Sequence, residues 1–313
     1  MRETFPLEES DEQKLQLGID AHSKGKFKEA EKIYKAILQN HSNSKDLRNN
    51  FFQKKIHHFT WKVLGDLLKQ IGKLNEALIA RKKVIEYNLK DAEAYYNFAN
   101  ILNELGRLHE AEENYKQAII FKPDFVSAYC NLAITLKNQG RLEEAEINYK
   151  KAIFLKPEFA EVYNNLGNIL KELGRLNEAE ANYRKAMSLN NNFVKAYNGL
   201  GIILLDQGKL EDAEMLYEKA IKLKPDYVEA ILNLSIVHHY MNNPKESIKQ
   251  LNKILKLNLE DYKLKARVNL ALYKFLEDDF IASKKNLVAA LKIQRISDFG
   301  FTSYKVFRSY LKK

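Results

Sequence analysis

Asparagine side chains at regular spacing are the residues of this sequence that most directly suggest a binding chemistry. The segment EVYNNLGNILKELGR, which ends at Arg175, contains three asparagines within an otherwise helical pattern, although asparagine is a mediocre helix former. The related segments AYYNFANILNELGR and AYCNLAITLKNQGR end 68 and 34 residues earlier. Because a carboxamide offers both a hydrogen-bond donor and an acceptor, a regular series of them could bind the main chain of another polypeptide.

The residue types of enzymes occur here without the spacing that catalysis requires. The histidine pairs are His57 with His58 and His238 with His239. Adjacent residues point to different faces of a helix, whereas metal ligation favours an i, i+4 spacing. The triplet DFG at Asp298 resembles a kinase metal-binding motif but lacks the accompanying glycine-rich and catalytic loops. We therefore predict a protein that is not an enzyme and that has no cofactor and no metal site.

The composition indicates a folded protein without a membrane span. Of 313 residues, 45% are hydrophobic, 29% are charged and only five are proline. The stretch MRETFPLEESDEQ at the start is acidic, and no apolar run approaches the roughly 18 residues that a bilayer-crossing helix needs. The single cysteine, Cys130, cannot form a disulfide within the chain, which fits a reducing compartment. We expect a soluble, cytoplasmic protein.

The formal charge of +10 is distributed unevenly along the chain. Residues 45–90 carry a net charge of +7 and residues 241–313 carry +9, whereas residues 91–240 carry −5. Basic segments of this kind could attract nucleic acid or acidic lipid. Nucleic acid is the disfavoured partner, because the middle of the chain is acidic and solvated lysines on helix surfaces would explain the basic segments.

A 34-residue repeat organises most of the sequence, and each copy has the pattern of two amphipathic helices. An isolated pair of such helices cannot bury both of its faces, so neighbouring pairs must stack. We predict an all-α, right-handed α-solenoid of antiparallel helix pairs that is elongated rather than divided into two domains. The eight predicted repeats are residues 11–44, 58–91, 92–125, 126–159, 160–193, 194–227, 228–261 and 264–297.

The repeat resembles the tetratricopeptide repeat. In the fifth copy the matching residues are Tyr163, the pair Leu166 and Gly167, then Ala179 and Tyr183. The resemblance covers roughly residues 11–297 and weakens in the last two repeats. It implies that the first helices of the pairs line a concave surface. Glycines expected to end these first helices in the left-handed conformation are Gly72, Gly106, Gly140, Gly174 and Gly208.

Three segments lie outside the predicted repeats. Residues 1–10 form an N-terminal tail, and residues 45–57 form an insertion that we expect to extend the following helix. Residues 298–313 place Phe301, Tyr304, Phe307 and Leu311 on one helical face, which predicts a capping helix for the exposed apolar end of the stack. Docking to a membrane surface or to a partner is the alternative use of that helix.

The asparagines fall on one side of the predicted first helices. When each repeat is numbered from its first residue, asparagine occupies position 6 in five of the eight repeats. This position lies away from the packing positions 4, 7, 8 and 11. Since the resemblance places that side on the concave surface, we predict a protein or peptide partner in extended conformation. The predicted peptide-binding residues are Asn97, Asn131, Asn165, Asn198, Asn233, Asn269, Asn100 and Asn168.

Binding through these amides is expected to be weak and tolerant of sequence. Each main-chain hydrogen bond contributes about 0.5–1.5 kcal/mol, against an association cost of roughly 4–15 kcal/mol. Selectivity would then come from neighbouring side chains on the same side of the helices. These neighbours are Glu93, Glu161, Lys195, Glu229 and His239.

Known relatives suggest different uses of such a surface. The asparagine column resembles that of the tetratricopeptide superhelix of protein O-linked N-acetylglucosamine transferases, and KPDFVSAYCNLAITLKNQGRLEEAE is similar to those repeats. A non-catalytic scaffold follows, or alternatively a substrate-recognition module of a protein-glycosylation or other modifying system, since no sugar-nucleotide domain accompanies the repeats. The carboxylate clamp of cochaperones is disfavoured, because Asp66 stands where the clamp requires asparagine.

Overall fold

The computed structural model describes residues 10–39, 51–257, 259–276 and 279–293, and the regular structure in these residues is helical. The helices form consecutive antiparallel pairs, which confirms the predicted all-α solenoid class. The described helices are α1 (Asp11–Ser23), α2 (Phe27–Gln39), α3 (Phe51–Gln70), α4 (Leu74–Tyr87), α5 (Ala92–Glu104), α6 (Leu108–Phe121), α7 (Val126–Asn138), α8 (Leu142–Leu155), α9 (Ala160–Glu172), α10 (Leu176–Leu189), α11 (Val194–Asp206), α12 (Leu210–Leu223), α13 (Val228–Tyr240), α14 (Pro244–Leu255), α15 (Glu260–Leu276) and α16 (Phe280–Ile293).

The chain divides into two compact units, the N-unit (Met1–Pro157) and the C-unit (Glu158–Lys313). In the N-unit α1 packs on α2, α3 on α4, α5 on α6 and α7 on α8, and α2, α4 and α6 each also contact the first helix of the next pair. In the C-unit α9 to α16 pair and stack in the same order. The described part of each unit is therefore a row of helix hairpins.

The turn inside a hairpin needs one residue in the left-handed conformation. Gly106 has φ 73° and Gly174 has φ 75°, and the glycines predicted to end the first helices all have positive φ. In the seventh repeat Asn242 takes this place with φ 55°, which asparagine tolerates better than most residues. The prediction that these residues end the first helices is confirmed.

First helices are buried on two sides, which the packing positions taken from the sequence describe only in part. On α11 the residues Leu200 and Leu204 are buried as expected. Ala196 and Ile203 are equally buried, although they lie outside the predicted packing set. The reason is that α11 contacts both its own partner α12 and the preceding helix α10.

A tyrosine from the second helix is the largest side chain in the core of most hairpins. Tyr34, Tyr183 and Tyr217 lie against glycines of the first helices, and a Cβ atom added at Gly201 would lie only 2.6 Å from Cε1 of Tyr217. In the second repeat the corresponding residue is Arg81, whose side chain is 3% exposed. The buried tyrosines of this type are Tyr34, Tyr115, Tyr149, Tyr183 and Tyr217.

The predicted segments outside the repeats are described only in part. Residues 51–57 of the insertion belong to α3. Residues 1–9, 45–50 and 298–313, which include the predicted capping helix, lie outside the described residues. Among the helices that are described, none combines the length and the hydrophobicity needed to cross a membrane.

Candidate functional site

In the N-unit three of the predicted asparagines share one side of α5 and α7, and two of them are bonded to each other. Asn131 donates from Nδ2 to Oδ1 of Asn100 at 2.8 Å and to the hydroxyl of Tyr96 at 3.1 Å. The hydroxyl of Tyr115 donates to the same oxygen of Asn100 at 2.7 Å. Asn97 is half-buried and has no hydrogen-bond partner within the described residues. The bond between Asn100 and Asn131 therefore joins the neighbouring first helices α5 and α7.

In the C-unit Asn168, Asn198 and Asn233 each take part in one hydrogen bond. Tyr183 donates its hydroxyl proton to Oδ1 of Asn168 at 2.7 Å. Asn233 donates from Nδ2 to Oδ1 of Asn198 at 3.0 Å, which joins α13 to α11.

The two remaining predicted asparagines of the C-unit differ in their bonding. Oδ1 of Asn165 accepts from Nδ2 of Asn164 at 3.3 Å. Asn269 is half-buried on α15 without a hydrogen-bond partner in the described part of the chain. We call the side of the first helices that carries the eight predicted asparagines the amide face, and we describe it separately in each unit.

A recurring pair connects the amide face to the core. Position 9 of the repeat lies on the first helix, and position 24 of the repeat lies on the second helix. The two are 15 residues apart, as in Asn100 with Tyr115 and Asn168 with Tyr183. Burial raises the pKa of both tyrosine hydroxyls above the ordinary value of 10.0. Both tyrosines therefore keep their protons at physiological pH and act as donors.

Other repeats fill the same two positions with different chemistry. In the first repeat Ile19 replaces the asparagine, and the buried hydroxyl of Tyr34 has no hydrogen-bond partner in the described residues. The sixth repeat has Ile202 at this position, and the hydroxyl of Tyr217 is likewise buried and unpaired within the part described.

The second repeat has charged residues at both positions. There Asp66 accepts a short hydrogen bond from the guanidinium of Arg81. Asp66 had been considered only as a residue that argues against a carboxylate clamp. Its structural partner could have been found from the constant spacing of 15 residues, which the sequence interpretation did not use.

Charged residues at the edge of the amide face are paired in the N-unit. Lys62 lies 3.8 Å from Glu93, and Lys69 lies 2.6 Å from Glu104, each pair joining α3 to α5. In the C-unit Glu161 and Lys195 are exposed and have no ion-pair partner among the described residues. Of the predicted selectivity residues, Glu93 is therefore neutralised by an ion pair, whereas Glu161 and Lys195 are available.

Two further predicted selectivity residues lie near the end of the C-unit. Glu229 on α13 accepts a hydrogen bond from the hydroxyl of Tyr262 on α15. The ring of His239 stacks on Tyr273, with centroids 4.3 Å apart and an interplanar angle of 14°. Both residues are thus held by the next first helix.

Histidines of the two pairs contact residues outside those pairs, through ring packing and hydrogen bonding. His58 stacks on Tyr87 at 5.6 Å, and burial lowers the pKa of its imidazole. His238 is 5% exposed and lies 2.9 Å from Glu214, measured from Nε2 to Oε1. Among the described residues no group of three or more potential metal ligands comes together.

Two models of repeat families match parts of this chain. A model described as "TPR repeat" matches residues 99–140 and 135–174, and a model described as "Tetratricopeptide repeat" matches residues 158–226 and 192–260. A search of curated proteins found no significant match to this chain.

Several solved structures resemble the fold. A tetratricopeptide repeat protein from Parabacteroides merdae has a TM-score of 0.64 and 18% identity, covering 81% of this chain and 96% of that chain. The Cut9–Hcn1 hetero-tetramer of the APC/C has a TM-score of 0.64 and 17% identity, covering 91% of this chain and 52% of that chain. YrrB, described as a TPR protein with an unusual peptide-binding site, has a TM-score of 0.47 and 26% identity, covering 57% of this chain and 92% of that chain.

Proposed function

This chain belongs to the tetratricopeptide repeat family, a class of protein-interaction scaffolds, and we propose that it binds an extended peptide on its amide face without catalysing a reaction. The observation that supports this function is the state of the asparagines after their internal bonds are counted. Each of the eight predicted amides keeps at least one polar atom that bonds nothing else in the described residues.

The unused atoms have the chemistry of a main-chain binding surface. Asn97 retains its whole carboxamide, Asn131 retains Oδ1, and Asn165 retains Nδ2. Together such atoms can accept from peptide N–H groups and donate to peptide carbonyl groups, whatever the side chains of the peptide. The internal bonds also reduce the rotational freedom that these side chains would lose on binding, which lowers the cost of association.

The side chains beside the amides would decide which peptides bind tightly. In the N-unit the two ion pairs Lys62–Glu93 and Lys69–Glu104 already neutralise the charges of their four side chains. In the C-unit Glu161 and Lys195 are available to charged groups of a partner. Exposed ion pairs contribute about 0–1 kcal/mol each, so they would modulate rather than dominate affinity.

A direct test uses a fluorescein-labelled (Gly-Ser)8 peptide, which has a main chain but almost no side-chain chemistry. Fluorescence polarisation would compare the wild-type chain with the double variant N97A/N165A. We expect binding to weaken about 5- to 25-fold, since each lost bond is worth about 1 kcal/mol. Q117A on the exposed side of α6 is the control and should bind like wild type. Equal binding by the double variant would reject the amide face as the binding surface.

A second use of the same surface is substrate recognition for a separate glycosylating or other modifying enzyme. Side-chain-independent binding suits this role, because one recognition module could then present many different substrate segments. This use predicts that removal of the protein from a native extract lowers the modification of the peptides it binds, and that the N97A/N165A variant fails to restore it. Restoration by that variant would exclude the role.

A further inference from the structure

The hydroxyl of Tyr183 determines which end of the Asn168 carboxamide faces away from the core. Tyr183 is 0% exposed, and the oxygen of Asn168 is the acceptor for its hydroxyl proton at 2.7 Å. If the amide were reversed, the buried phenolic proton would lose its acceptor, at a cost of about 1–3 kcal/mol. Oδ1 is therefore directed toward the tyrosine, and Nδ2 of the half-buried Asn168 is left on the amide face.

The third repeat contains the same arrangement with an additional bond. Oδ1 of Asn100 accepts from the hydroxyl of Tyr115 at 2.7 Å and from Nδ2 of Asn131 at 2.8 Å. Two donors converge on this oxygen, so both of its lone pairs are occupied. Nδ2 of Asn100 is again the atom that bonds nothing else in the described residues.

We propose that Tyr115 and Tyr183 are positioning residues that make Asn100 and Asn168 pure hydrogen-bond donors toward a bound peptide. This inference rests on the proposed peptide-binding function and specifies the partner's chemistry. At these two sites the partner presents carbonyl oxygens and uses no N–H group. Segments containing proline or N-methylated residues, which lack the N–H but keep the carbonyl, are therefore accepted there.

The opposite polarity occurs where no tyrosine hydroxyl donates to the amide oxygen. Asn131 and Asn233 use Nδ2 for internal bonds, at 2.8 Å to Asn100 and 3.0 Å to Asn198. Their Oδ1 atoms remain as acceptors for partner N–H groups. Each unit thus combines amides that donate to carbonyl groups with amides that accept from N–H groups. An extended main chain presents both kinds of group.

The orientation can be measured first without any ligand. In a two-dimensional ¹H–¹⁵N spectrum, the side-chain NH₂ signals of Asn168 are identified by their absence in N168D. We expect these signals to exchange magnetisation with water, and to shift in Y183F, where the amide is no longer held. A protected NH₂ group with a strong nuclear Overhauser effect to the ring of Tyr183 would overturn the proposed orientation.

The binding test uses two labelled 16-residue probes, (Gly-Ser)8 and an oligomer of N-methylglycine that has carbonyls but no N–H groups. N168D keeps an acceptor for Tyr183 and removes the donor, so we expect about 5-fold or greater weakening for both probes. N177D, the same chemical change at an exposed residue of α10, is the matched control.

The outcomes separate the two proposals. A loss confined to (Gly-Ser)8 would show that Asn168 accepts from an N–H group, and no loss relative to N177D would show that it contacts neither probe. Either result overturns the donor assignment. If the wild-type chain binds neither probe, the peptide-binding function fails, and the ligand-free spectrum still decides the orientation of the amide.

Discussion

The hairpins of repeats three and five carry asparagine at position 9 of the first helix, whereas those of repeats one and six carry isoleucine there. In the fifth repeat Asn168 bonds the hydroxyl of Tyr183, whereas in the sixth Ile202 leaves the hydroxyl of Tyr217 unpaired within the described residues. Both tyrosines are equally buried, at 0% exposure. The same buried tyrosine therefore has a hydrogen-bond partner where Asn168 lies opposite, and none in the described residues where Ile202 takes that position.

The second repeat extends the comparison to charge. Arg81 takes the place of the tyrosine and Asp66 the place of the asparagine, with the same 15-residue separation. The guanidinium is almost fully buried, whereas the side chain of Asp66 is 56% exposed. Loss of one partner should destabilise the protein more in this pair than in the neutral pairs, because a buried charge without a partner is costly.

The largest expected effect comes from breaking the charged pair. D66A should destabilise the protein by about 3 kcal/mol, because it leaves Arg81 buried without its carboxylate. The double variant D66N/R81Y, which copies the neutral pair of repeats three and five, should recover most of that loss. Chemical denaturation monitored by circular dichroism would measure both. A double variant no more stable than D66A would show that the three pairs are not equivalent.

A smaller loss of stability is expected in alkaline solution. It comes from Tyr34 of the first repeat, whose hydroxyl has no hydrogen-bond partner in the described residues. Burial raises the pKa of Tyr34 from 10.0 to about 12, so the folded chain holds a proton that the unfolded chain releases. Its stabilisation is complete below pH 10 and declines between pH 10 and pH 12, by about 1.4 kcal/mol per pH unit. Unfolding free energies of wild type and Y34F across this range should diverge in slope, and parallel curves would contradict the shift.

The next effect compares the same substitution in two repeats. Y183F removes the donor to Asn168 and should cost about 1 kcal/mol. Y217F removes an unpaired buried hydroxyl and should be neutral or stabilising by up to about 1 kcal/mol. Thermal unfolding by calorimetry would rank the two variants. Equal losses would mean that the hydroxyl of Tyr217 has a partner, such as an ordered water.

The smallest effects separate amides that hold the structure from amides that are available for binding. N131A removes bonds to Asn100 and Tyr96 and should cost about 1 kcal/mol. N97A removes no internal bond in the described residues and should change stability by less than about 0.5 kcal/mol. Denaturant midpoints of the two variants would test the difference. A large loss for N97A would make Asn97 a structural residue.

Much of the architecture follows from local patterns in the sequence. Helical periodicity and the repeated glycines predict where hairpins form, because a left-handed residue is needed wherever a first helix turns into the second. In the seventh repeat Asn242 takes the place of the glycine, and its φ is 55°. The buried pair Ala196 and Ile203 was missed, because one helix considered alone does not reveal that it packs against two neighbours.

The candidate site was predicted less completely than the fold. The assignment of the asparagines to a binding surface stays a prediction, and their bonds to Tyr96, Tyr115 and Tyr183 were not foreseen. Those bonds depend on how far apart two helices lie and how their side chains meet. Neither quantity is encoded in the spacing of one helix.

The sequence by itself determined the helix pairs, their turns, the family and the set of amides on one side of the first helices. These features depend on the conformational preferences of individual residues and on the period of the α-helix, both of which are local. Only the tertiary structure decided which amide atoms are occupied and which remain free, because most of these hydrogen bonds bring groups of two different helices within about 3 Å. The polarity of the amide face is therefore a property of the packed helices.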